Sequence, residues 1–342
     1  MSLQVQNLTY IHPDKEVLFH NISFSVSANT KCAVTGHNGS GKSTLLQIIA
    51  HRLQSASGAV ICESEPYFIP QLFGQYDSLT IAGALGISET IRALHAILDG
   101  DVTESNFICL DDKWDIEEQA MAALDKWNIG NIPLSAALND LSGGEKTKVF
   151  LAGISLHAPK LVLMDEPTNH LDLKAREKLY EYIRQFAGTL LVVSHDRTLL
   201  NLMSAIYEMS VEGIRFYPMN YDAYKSQKEA ELHSKMELLG NRQKELKKAL
   251  KEVQNAMERQ QKHNVRGEKL NKKKGIARIA MGNQQDRAEK TTSKLNKVQQ
   301  DKLQTIYSQI RDIKSSVINT DAMKIDFYSS DLHAGKKLIE AR

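Results

Sequence analysis

Nine consecutive residues constrain this 342-residue chain more than any others: Gly36, His37, Asn38, Gly39, Ser40, Gly41, Lys42, Ser43 and Thr44. They follow Cys32-Ala33-Val34-Thr35, a short β-branched run that reads as a buried strand. They lead into Leu45-Leu46-Gln47-Ile48-Ile49, a helical pattern. A G-x-x-x-x-G-K-S loop in this strand–loop–helix setting has a specific physical use. Its glycines let the backbone curl until successive N–H groups converge on phosphate oxygens, with a helix N-terminus behind them. Lys42 is then expected to reach the β- and γ-phosphates of a nucleotide, and the Ser43 hydroxyl to ligate Mg²⁺.

A second acidic piece fits the same chemistry. Leu161 to Met164 reads as a buried strand that ends in Asp165-Glu166-Pro167. A carboxylate at the end of a strand beside the loop can hold the Mg²⁺ shell, the role expected of Asp165. Glu166 is placed to orient and deprotonate an attacking water. Between the two pieces, Leu141-Ser142-Gly143-Gly144-Glu145 opens a helix-compatible stretch and forms another potential anion cradle.

These segments, with Pro70-Gln71, Asn169-His170-Leu171-Asp172 and Ser194-His195-Asp196 in the same order, resemble the ATP-binding cassette (ABC) ATPases over residues 1–222. The resemblance implies an α/β P-loop cassette with a helical subdomain at about 77–158. It implies ATP and Mg²⁺ as ligands, with Gln71 sensing the metal and the attacking water. His195 would contact the γ-phosphate, and Asp172 would couple two sites across a dimer interface. Ser142, Gly143 and Gly144 match the family signature, which faces the nucleotide held by another cassette. An aromatic ring near the N-terminus stacks on adenine in this family. Here His12 stands in that register and Tyr10 two residues earlier, on the same face of a strand, so either ring could serve. Trp114 and Trp127 read as packing residues.

Composition divides the chain. Residues 1–222 carry 16 basic and 26 acidic side chains, whereas residues 223–342 carry 27 basic and 15 acidic ones. The basic half points to a polyanionic partner. Its first part is rich in Lys, Glu, Gln and Leu, and Leu232, Met236, Leu239, Gln243, Leu246, Leu250, Val253 and Met257 follow heptad spacing. Leu303, Ile306, Ile310, Ile313 and Val317 repeat the pattern. The expectation is an antiparallel coiled-coil hairpin over residues 223–318. Its polar tip, from about Lys262, carries Lys262, Arg266, Lys269, Lys272, Lys273, Lys274 and Arg278 with Glu268 as the single acid. No aromatic is interleaved, which favours contact with nucleic-acid backbone over base stacking.

A cassette followed directly by a basic helical hairpin, together with Asp165-Glu166-Pro167-Thr168-Asn169-His170-Leu171-Asp172, resembles the ABC-F subfamily. Members have two cassettes in one chain, no membrane domain, and in many cases a ribosomal target. The resemblance implies an ATP-driven protein acting on ribosomal RNA and tRNA, as a translation factor or in antibiotic resistance. Rival readings are the ATP-binding subunit of a transporter and a DNA-maintenance ATPase. Residues 319–342 resemble the start of a second cassette that stops short, so a second cassette, in cis or in a homodimer, is expected to complete each site. The apolar runs are far below membrane-span length, and no secretory signal is visible at the N-terminus. Cys32, Cys62 and Cys109 are widely spaced, which argues against a zinc site and fits three neutral thiols in a cytoplasmic protein.

Overall fold

The computed structural model describes residues 2–210, 213–274, 297 and 300–314. The chain divides into two units between Ser226 and Gln227.

The first unit opens with strands β1 (Leu3–Ile11), β2 (Val17–Val26) and β3 (Lys31–Gly36), then helix α1 (Lys42–Ile49) and strands β4 (Ser57–Cys62) and β5 (Tyr67–Ile69). Five helices follow: α2 (Ile81–Ala84), α3 (Ser88–Leu98), α4 (Glu104–Leu110), α5 (Ile116–Asp125) and α6 (Gly143–His157). Next come β6 (Leu161–Asp165), α7 (Leu173–Gln185), β7 (Thr189–Val193), α8 (Arg197–Leu200), β8 (Ala205–Ser210) and β9 (Gly213–Tyr217). A long helix, α9 (Tyr221–Lys274), begins in this unit.

Two sheets organise the unit. An antiparallel sheet has the order β2-β1-β4, and a six-stranded sheet has the order β5-β6-β7-β3-β8-β9. In the larger sheet all pairs are parallel except β8–β9. Its central strands β6 and β7 are buried at every position, as unbroken apolar runs covered on both faces must be. One core lies between this sheet and the helices, and includes Ile69, Phe150, Val162, Leu190 and Trp127. The other surrounds α1, whose Leu45, Leu46, Ile48 and Ile49 pack among Leu3, Val34, Leu163 and Leu191. The fold is that of a P-loop ABC ATPase cassette with a helical subdomain. Both ends of the phosphate loop are anchored, by β3 in the sheet and by α1 in the second core.

Trp127 is core, but Trp114 is half-exposed. Cys32 is buried, Cys62 half-buried and Cys109 exposed.

In the second unit α9 continues to Lys274, well into the expected tip. The Lys-, Glu- and Gln-rich sequence has high helix propensity, and a single Gly267 costs only about 1 kcal/mol. Lys262 and Arg266 are exposed on the helix, and Lys269, Lys272, Lys273 and Lys274 lie along its backbone; Arg278 and Val317 lie outside the described residues. Residues 300–314 are helical and pack with α9 as a hairpin. Ala249, Ile306 and Ile310 are buried there, flanked by Leu239, Leu246 and Leu303. The seam on α9 differs from the expected one at alternate positions. Leu239, Leu246 and Val253 face inward as predicted, but Arg242, Ala249 and Ala256 replace Gln243, Leu250 and Met257. Three–four spacing can be phased either way about the same anchor residues. Here it runs through Arg242 and the small Ala249 and Ala256, and leaves Met236, Leu250 and Met257 exposed.

Candidate nucleotide site

The phosphate loop leaves β3 at Gly36, which adopts φ 154°. A Cβ there would lie 2.3 Å from the Met209 carbonyl oxygen of the paired strand β8. Gly41 closes the loop at φ 92° against Leu18 and Phe19, and α1 starts at the next residue. Lys42, itself buried, donates to the carbonyls of Gly36 at 2.9 Å and His37 at 2.8 Å. Its ammonium is therefore held across the mouth of the loop. Burial lowers its pKa, while Glu166 and Asp165 pull it back up.

Ser43 donates its hydroxyl to Asp165 Oδ1 at 3.1 Å, which joins the start of α1 to the end of β6. Burial pushes the Asp165 carboxyl up to about 6. Glu166 is buried and sits at φ 48°, a left-handed conformation that costs a non-glycine residue energy. The strain turns its carboxylate toward the end of β7, where the His195 N–H donates to Oε2 at 3.2 Å. The His195 Nε2 stands 3.5 Å from Oε1, an ion-pair distance. Burial raises the Glu166 pKa, and His195 and Lys42 oppose the rise.

These groups surround one cavity of about 490 Å³ lined by His12, Asn38, Gly39, Gly41, Lys42, Ser43, Thr44, Gln71, Glu166 and His195. Leu18, Asn169 and Val193 complete the wall. Asn169 was missed as a lining residue, although it lies in the run after Glu166; its N–H donates to the Glu166 carbonyl at 3.2 Å. Leu18 carries no chemical signal in sequence, since it lines the pocket only because β2 passes the loop.

His12, not Tyr10, reaches the cavity. β1 ends at Ile11, so the shared strand face that would have made the two rings equivalent does not extend to His12. Tyr10 instead packs edge-on behind His12, ring centroids 5.4 Å apart, and against Phe19 at 6.1 Å.

The signature residues stand elsewhere. Ser142 caps α6 in a reciprocal box with Glu145: the Glu145 N–H donates to Ser142 Oγ at 3.3 Å, and the Ser142 N–H to Glu145 Oε2 at 2.9 Å. Gly143 and Gly144 lie under His170; a Cβ on Gly144 would come within 2.7 Å of the His170 carbonyl oxygen. Asp172 caps α7 by accepting from the Ala175 N–H at 2.8 Å, and Lys148 of α6 stands 3.9 Å away. None of Ser142, Gly143, Gly144 and Asp172 lines the Lys42 cavity.

The residues present fit a nucleotide with its metal. Two buried oxygens at the site make no hydrogen bond: Ser40 Oγ, and Glu166 Oε1, whose neighbour is the His195 ring at 3.5 Å. Unmet polar groups beside a glycine-lined loop fit a ligand that supplies oxygens and water. Among the described residues no three His, Cys, Asp or Glu side chains group as a metal cage. A hydroxyl and a carboxylate, from Ser43 and Asp165, are the hard-oxygen pair that suits Mg²⁺ shared with phosphates.

Residues 19–169 match the family model described as ABC transporter. The ABC transporter ATP-binding protein YfmR of Bacillus subtilis is 30% identical over 81% of this chain and 45% of its own length. The tylosin resistance ATP-binding protein TlrC of Streptomyces fradiae is 28% identical, over 64% of this chain and 44% of its own. ABC transporter F family member 4 of Arabidopsis thaliana is 27% identical, over 69% and 31%. The chain thus spans less than half the length of these relatives. Among solved structures, the dimeric post-hydrolysis ATP-binding cassette MJ0796, bound to ADP and Pi, superposes with a TM-score of 0.50 at 22% identity. That match covers 64% of this chain and 99% of MJ0796, and shows the shared fold. Motif order, pocket geometry and family match agree: the chain carries an ABC-type ATP-binding domain.

Proposed function

We propose that this domain hydrolyses ATP in an ABC-F type protein acting on the ribosome, ATP closing two cassettes on each other and hydrolysis releasing them. The observation that carries the reading is an ABC pocket whose last strand runs directly into a helical hairpin with exposed Lys262 and Arg266. The likeness to an F family member and to a tylosin resistance protein supports it. Among the described residues no helix is long and apolar enough to cross a membrane.

In the pocket, the loop N–H groups and Lys42 bind and orient the phosphates, and His12 stacks on the base. Ser43 and Asp165 would hold Mg²⁺, which neutralises charge on the transferred phosphoryl group when bound. Glu166, desolvated and aimed by its left-handed backbone, takes a proton from water that Gln71 orients, and His195 contacts the γ-phosphate. Ser142, Gly143, Gly144 and Asp172 serve the site of a second cassette, which is why they lie away from Lys42.

The test is co-sedimentation of the Glu166→Gln chain with ribosomes, with and without ATP, across a salt series. ATP-dependent, salt-sensitive pelleting that weakens on Lys272→Ala, Lys273→Ala and Lys274→Ala supports the reading. Salt-sensitive binding to duplex DNA alone would move it to a DNA-maintenance ATPase. Co-purification with an integral membrane protein would move it to a transporter subunit, the reading that the name of YfmR favours.

A further inference from the structure

The helical subdomain carries a surface that the nucleotide chemistry does not use. Leu98 ends α3 and is 70% exposed, Val102 in the connection is 71% exposed, and Ile108 on α4 is 71% exposed. Phe107 and Trp114 add two large rings at 43% and 47% exposure. These two rings contact each other edge-to-face, with centroids 6.3 Å apart and planes at 63°, so they form one aromatic surface. The Trp114 indole N–H donates to Asp112 Oδ1 at 3.0 Å, which fixes the ring in place. Neighbouring Leu110 and Ile116 are buried, so the same segment that feeds the core also presents apolar groups outward. Helices α3 and α4 pack on each other, which brings these exposed apolar side chains to one region of the subdomain, and apolar groups gathered on a water-facing surface mark an interaction site.

Charge identifies the occupant. Between Asp99 and Glu118 there are eight acidic residues and one base, Lys113. Lys113 is engaged with Asp111 at 3.1 Å. An acid-rimmed apolar patch repels nucleic-acid phosphate and anionic lipid headgroups. It attracts Lys and Arg side chains that flank apolar ones. We infer that Leu98, Val102, Phe107, Ile108 and Trp114 form a docking surface for a basic protein segment with one apolar face. Its sign is opposite to that of the basic helix α9, so it serves a protein contact separate from any nucleic-acid contact, whatever the ATPase acts on.

The test uses the full chain and a labelled synthetic helical peptide of Leu and Lys with a single apolar face, read by fluorescence anisotropy at low and high salt. The expected result is binding that weakens with salt and drops at least about tenfold in a Phe107→Ser, Ile108→Ser variant. Glu104→Gln with Glu118→Gln, exposed acids that hold none of the patch rings, should weaken it independently. Tryptophan emission should shift to the blue on binding, and not in Trp114→Phe. Retained ATP-analogue binding shows that each surface variant is folded. Equal affinity for the variants, equal binding of a Leu and Glu peptide, or a patch-dependent preference for duplex RNA or anionic vesicles would overturn the inference.

Discussion

Asp165 shows how the site trades stability for chemistry. Its carboxyl is buried, and burial lifts its pKa to about 6. The folded chain therefore holds a proton that the unfolded chain has released between about pH 4 and pH 6, and stability falls as pH rises through that window. In the nucleotide-free protein Asp165→Asn should raise stability at pH 8 by up to about 3 kcal/mol, with the gain vanishing near pH 4. Chemical denaturation at the two pH values checks this, and a variant no more stable at pH 8 would show that the charge is well accommodated. Gly36 makes the opposite point, that a loop position can tolerate only one residue. Gly36→Ala should cost at least about 2 kcal/mol, because its Cβ meets the fixed backbone of β8. Thermal unfolding reads that loss, and an unchanged midpoint would show that the Met209 backbone yields.

At the scale of elements, α6 depends on its first turn. The Ser142–Glu145 box satisfies two N–H groups at once, so Ser142→Ala should destabilise by about 1 kcal/mol through the cap alone. Denaturation of the nucleotide-free chain measures that cost, and an unchanged midpoint would mean the cap is dispensable. Lys146, one turn in, ties the same helix to Asp77 at 2.6 Å, which links α6 to the segment after Gln71. In sequence Ser142 reads only as part of an anion cradle, and the Lys146–Asp77 pair joins residues 69 positions apart, beyond the reach of a local pattern. Gly36 to Thr44, Asp165 and Glu166 were legible as local motifs at strand ends, and Gln71 and His195 only through the resemblance to a family. The choice of His12 over Tyr10 was not legible, since it turns on where β1 stops. The inward phase of α9 was equally hidden: periodicity marks Leu239 and Leu246, but only the packed partner decides between Ala249 and Leu250.

At the scale of the molecule, the acidic first unit and the basic second one are distinct chemical surfaces on one chain. The root of α9 belongs to the first unit. There the Tyr224 hydroxyl donates to Glu208 Oε1 at 2.9 Å, and the Thr35 hydroxyl, directly before the phosphate loop, lies 3.5 Å from it. The helix is thus seated on the strand that feeds the nucleotide loop. The Lys42 pocket lacks the Ser142 signature beside it, so turnover should rise more steeply than linearly with protein concentration. Phosphate release per chain, measured over a dilution series, checks this, and a constant specific rate would mean that one cassette suffices. The most direct measurement compares ATP binding and phosphate release in the unmodified chain and in Glu166→Gln at a concentration that supports turnover. The pocket geometry predicts unchanged ATP affinity and a loss of turnover of at least about 100-fold. Persistent hydrolysis in Glu166→Gln would contradict the assignment of Glu166 as the base.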